Sequence, residues 1–293
     1  MRQSFHLGRV SGIDIGVRWS IFLIASLLTF TLSGTILPAA APGLGNAFYL
    51  AAALATALLF LGSIVAHELG HSVIAQRNQV GVKGITLFAL GGVAELEGEP
   101  RNAGAAGRIA LAGPVVSVAV GVGSLVAAWT LGILGFSVLA QAALLWLGVI
   151  NLGLAAFNML PALPLDGGRV VQAILWHRSG DQHRATIKAA RLGRVIGWAL
   201  VGFGLWTFVG PNGTMGLWTA FIGWFIATSA RAEGGRAREE VRRQNWERWM
   251  RSGVFGQPAS APPRSDVIDV DLVDLGDPSV KDVRTSWRSA SST

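Results

Sequence analysis

The chain has 293 residues, of which 51% are hydrophobic and only 14% charged, with a mean hydropathy of +0.48. Soluble domains carry roughly 25% charged residues, so the composition excludes an ordinary soluble protein and indicates an integral membrane protein. The chain has no cysteine, which excludes disulfides and thiolate metal ligands and leaves histidines and carboxylates to build any metal site.

Residues 4 to 16 mix alternation with glycine and read as short strands or a hairpin on the cytoplasmic face. Apolar runs of spanning length, about 20 residues each, lie at 17–37, 48–71, 108–133, 138–158, 192–209 and 214–230. They predict an all-α polytopic membrane protein with six transmembrane helices. The small residues Pro38-Ala39-Ala40-Ala41 offer a signal-peptide cleavage site. The apolar stretch before them exceeds the ~7 to 15 residues of a signal sequence, so the first span reads as retained. The net charge of +7 is distributed one-sidedly. All 24 lysines and arginines lie before the first span, between the second and third, between the fourth and fifth, within the first three residues of the span that follows, or after the sixth, and the loops at 38–47, 134–137 and 210–213 carry none. By the positive-inside rule both termini are cytoplasmic, and the basic character expresses topology and not nucleic-acid binding.

The second span ends in His67-Glu68-Leu69-Gly70-His71. On a helix an H-E-x-x-H sequence puts both imidazoles on one face, one turn apart, with the glutamate beside them: two zinc ligands and a general base. A carboxylate in hydrocarbon costs on the order of 3 kcal/mol or more, so its presence there indicates function before structure. From Phe48 to His67 the helix rises about 28 Å, which places the motif toward the cytoplasmic side of a core about 30 Å thick. Residues 80 to 99 then alternate on either side of Gly91-Gly92, which predicts a cytoplasmic β-hairpin with a Gly-Gly turn, able to present an edge strand to an extended substrate.

The third span opens with Ala112-Gly113-Pro114 and continues with Gly121 and Gly123; small residues of this kind serve close helix packing. After the sixth span, 232–255 alternates basic, acidic and aromatic residues and reads as a juxtamembrane amphipathic or solvated helix. Residues 256–293 read as a linker and a disordered tail. The core is thus expected at 1–231.

Catalytic zinc requires three protein ligands and one open position. Beyond His67 and His71, the histidines His6, His177 and His183 fall in cytoplasmic segments, and Glu95, Glu97 and Glu99 read as a solvated run. Asp166 lies in Phe157-Asn158-Met159-Leu160-Pro161-Ala162-Leu163-Pro164-Leu165-Asp166-Gly167-Gly168-Arg169, at the cytoplasmic end of the fourth span and at a depth similar to the histidines. With these two motifs the chain resembles the site-2 protease family of intramembrane zinc metalloproteases. The resemblance takes in the glycine-bearing hairpin, the Ala-Gly-Pro of the third span and the six-helix layout. It implies one zinc per chain on His67, His71 and Asp166, Glu68 as catalytic base, and Asn158 and Pro164, with Gly91 and Gly92, shaping the substrate cleft. It also implies a membrane-spanning protein as substrate and a prokaryotic plasma membrane as location. Pro278-Ser279-Val280-Lys281-Asp282-Val283-Arg284-Thr285 looks like the opening of a cystathionine-beta-synthase-like module found in some family members. The sixteen residues from Pro278 are too few for a packed core, so this segment reads as a remnant. Two other classes stay open at this point: a metal carrier or sensor using the same cluster without hydrolysis, and a catalytically silent scaffold that binds helices.

Overall fold

The computed structural model describes residues 5–10, 12–88, 91–210 and 213–251. The elements run β1 (Phe5–Val10), β2 (Ile13–Val17), α1 (Ser20–Thr31), a π-helical turn (Leu32–Ile36), α2 (Leu37–Ala40), α3 (Asn46–Arg77), β3 (Gly81–Phe88), β4 (Gly91–Glu97), α4 (Ala103–Ile133), α5 (Val138–Asn158), α6 (Asp166–Ser179), α7 (Gln182–Phe208) and α8 (Gly213–Arg251). Among the described residues, four helical stretches are long and apolar enough to cross a membrane: Ser20–Ala40, Asn46–Arg77, Ala103–Ile133 and Val138–Asn158. Between 17% and 39% of each apolar window is buried within the protein. Most of this apolar surface therefore faces outward, as suits a hydrocarbon surround and not water.

The runs expected as fifth and sixth spans, 192–209 and 214–230, fall within α7 and α8 but do not reach that apolar standard. In α7, Arg184, Lys188, Arg191 and Arg194 occupy the first half. The uncharged remainder, 195–208, rises about 21 Å, short of a ~30 Å hydrocarbon core. In α8, tryptophans, glycines and threonines dilute the isoleucines and phenylalanines.

Small residues set the helix contacts. A Cβ added at Gly197 of α7 would lie 2.6 Å from the Ala227 nitrogen and 2.7 Å from the Gly223 oxygen of α8, and one at Gly216 would lie 2.6 Å from the Gly204 oxygen. The two helices approach backbone to backbone along this stripe, as only glycine and alanine permit. Gly121 of α4 and Gly148 of α5 face each other in the same way, added Cβ atoms falling 3.1 and 3.0 Å from the opposing carbonyl oxygens. Gly123 has open space around it, so the packing role expected of both α4 glycines belongs to Gly121. A separate contact, Tyr49 Oη donating to the Ala41 carbonyl at 2.6 Å, ties the start of α3 back to the end of the first span.

The stretches 4–16 and 80–99 join in one four-stranded sheet of order β1-β2-β3-β4. β1–β2 and β3–β4 are antiparallel and β2–β3 is parallel. Ile13, Val17, Ile85 and Leu87 pack with Ile21 against Leu61, Ile64, Val65 and Leu69, so the sheet lies against the face of α3 beside the H-E-x-x-H turn. The expected turn at Gly91-Gly92 is corrected: Gly91 opens β4 opposite Phe88 and Gly92 pairs with Leu87, while the connection falls at 89–90, outside the described residues. Gly92 lacks a side chain because of close approach, since an added Cβ would lie 2.5 Å from Glu68 Cγ.

The chain divides into compact units at 1–239 and 240–293. In the described part of the second unit, Arg243 Nη2 donates to Glu240 Oε1 at 2.8 Å and the Trp246 and Trp249 rings lie 5.1 Å apart. The expected juxtamembrane helix is helical as far as Arg251. The linker and the remnant at 278–285 lie outside the described residues.

Gly197→Leu should destabilise the protein by about 1–3 kcal/mol or more through overpacking, whereas Gly123→Leu should stay within about 0.5 kcal/mol. Thermal unfolding of both variants in one detergent checks the contrast.

Candidate metal centre

In α3 the four-residue spacing stacks His67 and His71 on one face, with their Nε2 atoms 3.2 Å apart. Asp166 reaches across from α6, its Oδ2 lying 3.2 Å from His67 Nε2 and its Oδ1 3.3 Å from His71 Nε2. One ligand atom from each residue thus falls within 4.8 Å of the others, a group that could hold a metal ion. His67 is only 4% exposed, and the other two are partly buried.

Asp166 lies beyond the end of α5, as the first residue of α6. The intervening turn is closed by Ala162 N donating to Leu160 O at 2.7 Å and Leu165 N to Ala162 O at 2.9 Å, and the Leu163–Pro164 bond in it is cis. Helix α6 starts directly against this turn. A side chain at Gly167 would strike the Met159 and Leu160 backbone, and one at Gly168 the Ala162 and Leu163 backbone. The two glycines after the aspartate therefore let its carboxylate reach the histidines.

The histidines are oriented from behind by α4. His71 Nδ1 lies 2.7 Å from the Ile109 carbonyl oxygen. A carbonyl only accepts, so Nδ1 carries the proton and the Nε2 lone pair is turned toward the centre. His67 Nδ1 lies 2.8 Å from Ser117 Oγ, which is fully buried. Between these contacts sits Gly113, where a side chain would strike both Nε2 atoms. Gly70 lets the helices approach, since an added Cβ would fall 3.0 Å from the Ala112 oxygen.

Ser117 and the Ile109 carbonyl were not singled out from the sequence, and Gly113, within the Ala112-Gly113-Pro114 that the family resemblance takes in, read mainly as packing. The available signal was Gly113-Pro114 in mid-helix, a pair that costs helix stability and therefore asks for a reason. Nothing in the sequence marked Ser117.

Glu68 is partly buried, packs against Gly92 of β4 and lies within electrostatic reach of His71, His67, Asp166 and Arg169. Gly91 stands at the start of β4 with a φ of 129°. Asn158 closes α5 and Pro164 lies in the following turn. Among the described residues neither hydrogen-bonds to the histidine–aspartate cluster.

The donor set fits a zinc ion: two imidazoles with convergent Nε2 atoms, one carboxylate, second nitrogens already hydrogen-bonded, and a glycine where a side chain would fill the space. Ser117→Ala should weaken zinc affinity by about 10–100-fold, and Gly113→Val should abolish binding. Competition of the purified protein with a zinc-chelating dye reads both.

The family model for peptidase family M50 matches residues 55–142 and 134–201, which include both motifs. A Mycobacterium tuberculosis protein provisionally named zinc metalloprotease Rip3 is 43% identical over 236 residues, 80% of this chain and 60% of the relative. This chain therefore spans three-fifths of that relative's length. A provisionally named zinc metalloprotease of Synechocystis is 37% identical over 272 residues, covering 93% of this chain and 68% of the relative. The structure is similar to the solved site-2 protease from Methanocaldococcus jannaschii, with a TM-score of 0.51 and 29% identity, over 78% of this chain and 94% of that one. The two motifs, the shared fold and these relatives place the chain in peptidase family M50, the site-2 protease family.

Proposed function

We propose that this protein is a zinc-dependent intramembrane endopeptidase that hydrolyses a peptide bond in or beside a transmembrane segment of a membrane-tethered protein. The observation that carries this reading is the convergence of His67, His71 and Asp166 between apolar helices, with Glu68 one residue from the first ligand. His67, His71 and Asp166 would hold the ion, one per chain. When bound, zinc would supply Lewis-acid polarisation of water and of the scissile carbonyl. Glu68 accepts the proton of the attacking water and delivers it to the leaving amine. The Ile109 carbonyl and Ser117 keep the imidazoles in the productive orientation.

A substrate helix hides its carbonyls in its own hydrogen bonds and must unwind before attack. β4 ends the sheet order, and its Gly92 touches the Glu68 side chain. An unwound segment paired along β4 would bring a carbonyl to the catalytic base, with Gly91 and Gly92 leaving room for it and Asn158 and Pro164 bordering the cleft.

The domain and topology readings belong to the same proposal: a six-span core at 1–231, a juxtamembrane segment at 232–255 and a tail at 256–293. The protein lies in the plasma membrane with both termini and the site toward the cytoplasm. The native chain has no cysteine, so single introduced thiols test this directly. A membrane-impermeant maleimide should label Ser137→Cys on intact cells and Ser179→Cys only after lysis; the reverse pattern contradicts the orientation.

Proteolysis is tested by membrane proteomics of cells carrying the intact protein or Glu68→Gln. The variant should retain zinc, lose activity by about 10²–10⁴-fold, and accumulate a defined membrane-embedded substrate. A metal carrier or sensor would instead keep full function in Glu68→Gln, and a silent scaffold would be indifferent to zinc removal.

A further inference from the structure

Helix α3 ends at Arg77 and α4 begins at Ala103. The two helices run antiparallel, since His71 meets Ile109 and His67 meets Ser117. Their ends therefore lie together where both apolar spans meet water, about 9 Å along α3 from His71. A cavity of about 290 Å³ opens there, lined by Arg77, Asn78, Gln79, Arg101, Asn102 and Ala105. That size is close to the lower end of small-ligand sites, roughly 300 Å³.

The cavity's polar groups divide into a fixed floor and two free cations. Asn78 Nδ2 donates to the Ile74 carbonyl at 2.7 Å, and its Oδ1 accepts from Arg108 Nη2 at 2.6 Å, so a third guanidinium stands at the rim. Asn102 Oδ1 accepts from Ala105 N at 2.9 Å. Gln79, with a φ of 63°, turns the chain out of α3. Arg77 and Arg101 are both exposed and make no ion pair or side-chain hydrogen bond among the described residues, and no carboxylate lines the cavity. Two unneutralised guanidinium forks over a structured floor match an anion that offers several acceptor oxygens, and phosphate is the group such forks bind best. Basic cavities between helices at the cytoplasmic border of a membrane meet this chemistry as lipid headgroups.

We propose that this cavity binds the phosphate-bearing headgroup of an anionic phospholipid. A lipid seated there would tie together the ends of the helix that carries both histidines and the helix that orients them. The inference rests on the bilayer placement proposed above and not on proteolysis, so peptidase activity measured in parallel keeps the two readings separable.

The test is native mass spectrometry of the full-length protein in mild detergent, titrated with phosphatidylglycerol or with phosphatidylcholine of the same acyl chains. A basic residue beside an anionic headgroup contributes roughly fivefold in affinity. Arg77→Gln with Arg101→Gln should therefore lose about 25-fold of phosphatidylglycerol binding, and each single variant, available should the pair fail to fold, about fivefold. Phosphatidylcholine, whose phosphate charge is offset by its choline cation, should bind more weakly than phosphatidylglycerol and lose less affinity in these variants. Millimolar inorganic phosphate should leave phosphatidylglycerol bound. Equal affinity for the two lipids, or undiminished phosphatidylglycerol binding in the arginine variants, would overturn the proposal. Complete displacement by inorganic phosphate would do so too, assigning the site to a free anion.

Discussion

The structure depends on holding a carboxylate and two imidazoles between apolar helices without leaving any of their polar atoms unmatched. In hydrocarbon such groups cost several kcal/mol each unless they are paired. The cluster meets that constraint twice over. Its inner atoms converge on one point, and the outer nitrogens of His67 and His71 are bound by Ser117 and the Ile109 carbonyl. The second set of contacts comes from α4 alone, which explains why α3 and α4 must approach so closely and why Gly70 and Gly113 sit where they do.

The other elements follow from bringing the Asp166 carboxylate to the two histidines. Asp166 belongs to a helix that begins only after a tight turn, and Gly167 and Gly168 allow that helix to start against the turn's backbone. Gly193 of α7 approaches the same turn, with an added Cβ 2.8 Å from the Leu163 nitrogen. Leu163 in turn packs with Ala189, Ala190 and Ala230. The α7–α8 pair thereby supports the turn that leads into Asp166. On the opposite side the sheet packs on α3 and brings Gly92 against Glu68.

What could be read from the sequence depended on the range of the contact. His67, Glu68 and His71 were legible because a helix fixes the i, i+4 relation locally. The first four apolar helices were legible because length and hydropathy are local properties as well. Asp166 could be nominated from its membrane side, but its place at the head of α6 depends on the turn at 159–165, which Gly193 of α7 supports through a tertiary contact with Leu163. Gly91-Gly92 was misread as a turn because a glycine pair has the same local signature whether it relieves a turn or admits a neighbour, here the Glu68 side chain. The parallel β2–β3 pairing and the Ser117 contact link residues dozens of positions apart, and no periodicity records them.

The most direct test of the account is the zinc content of the purified, detergent-solubilised protein beside Asp166→Ala, measured by inductively coupled plasma mass spectrometry after removal of loosely held metal. The account predicts close to one zinc per chain in the parent and near none in the variant, with thermal unfolding showing that the variant is still folded. Undiminished zinc in folded Asp166→Ala would contradict a centre built from His67, His71 and Asp166.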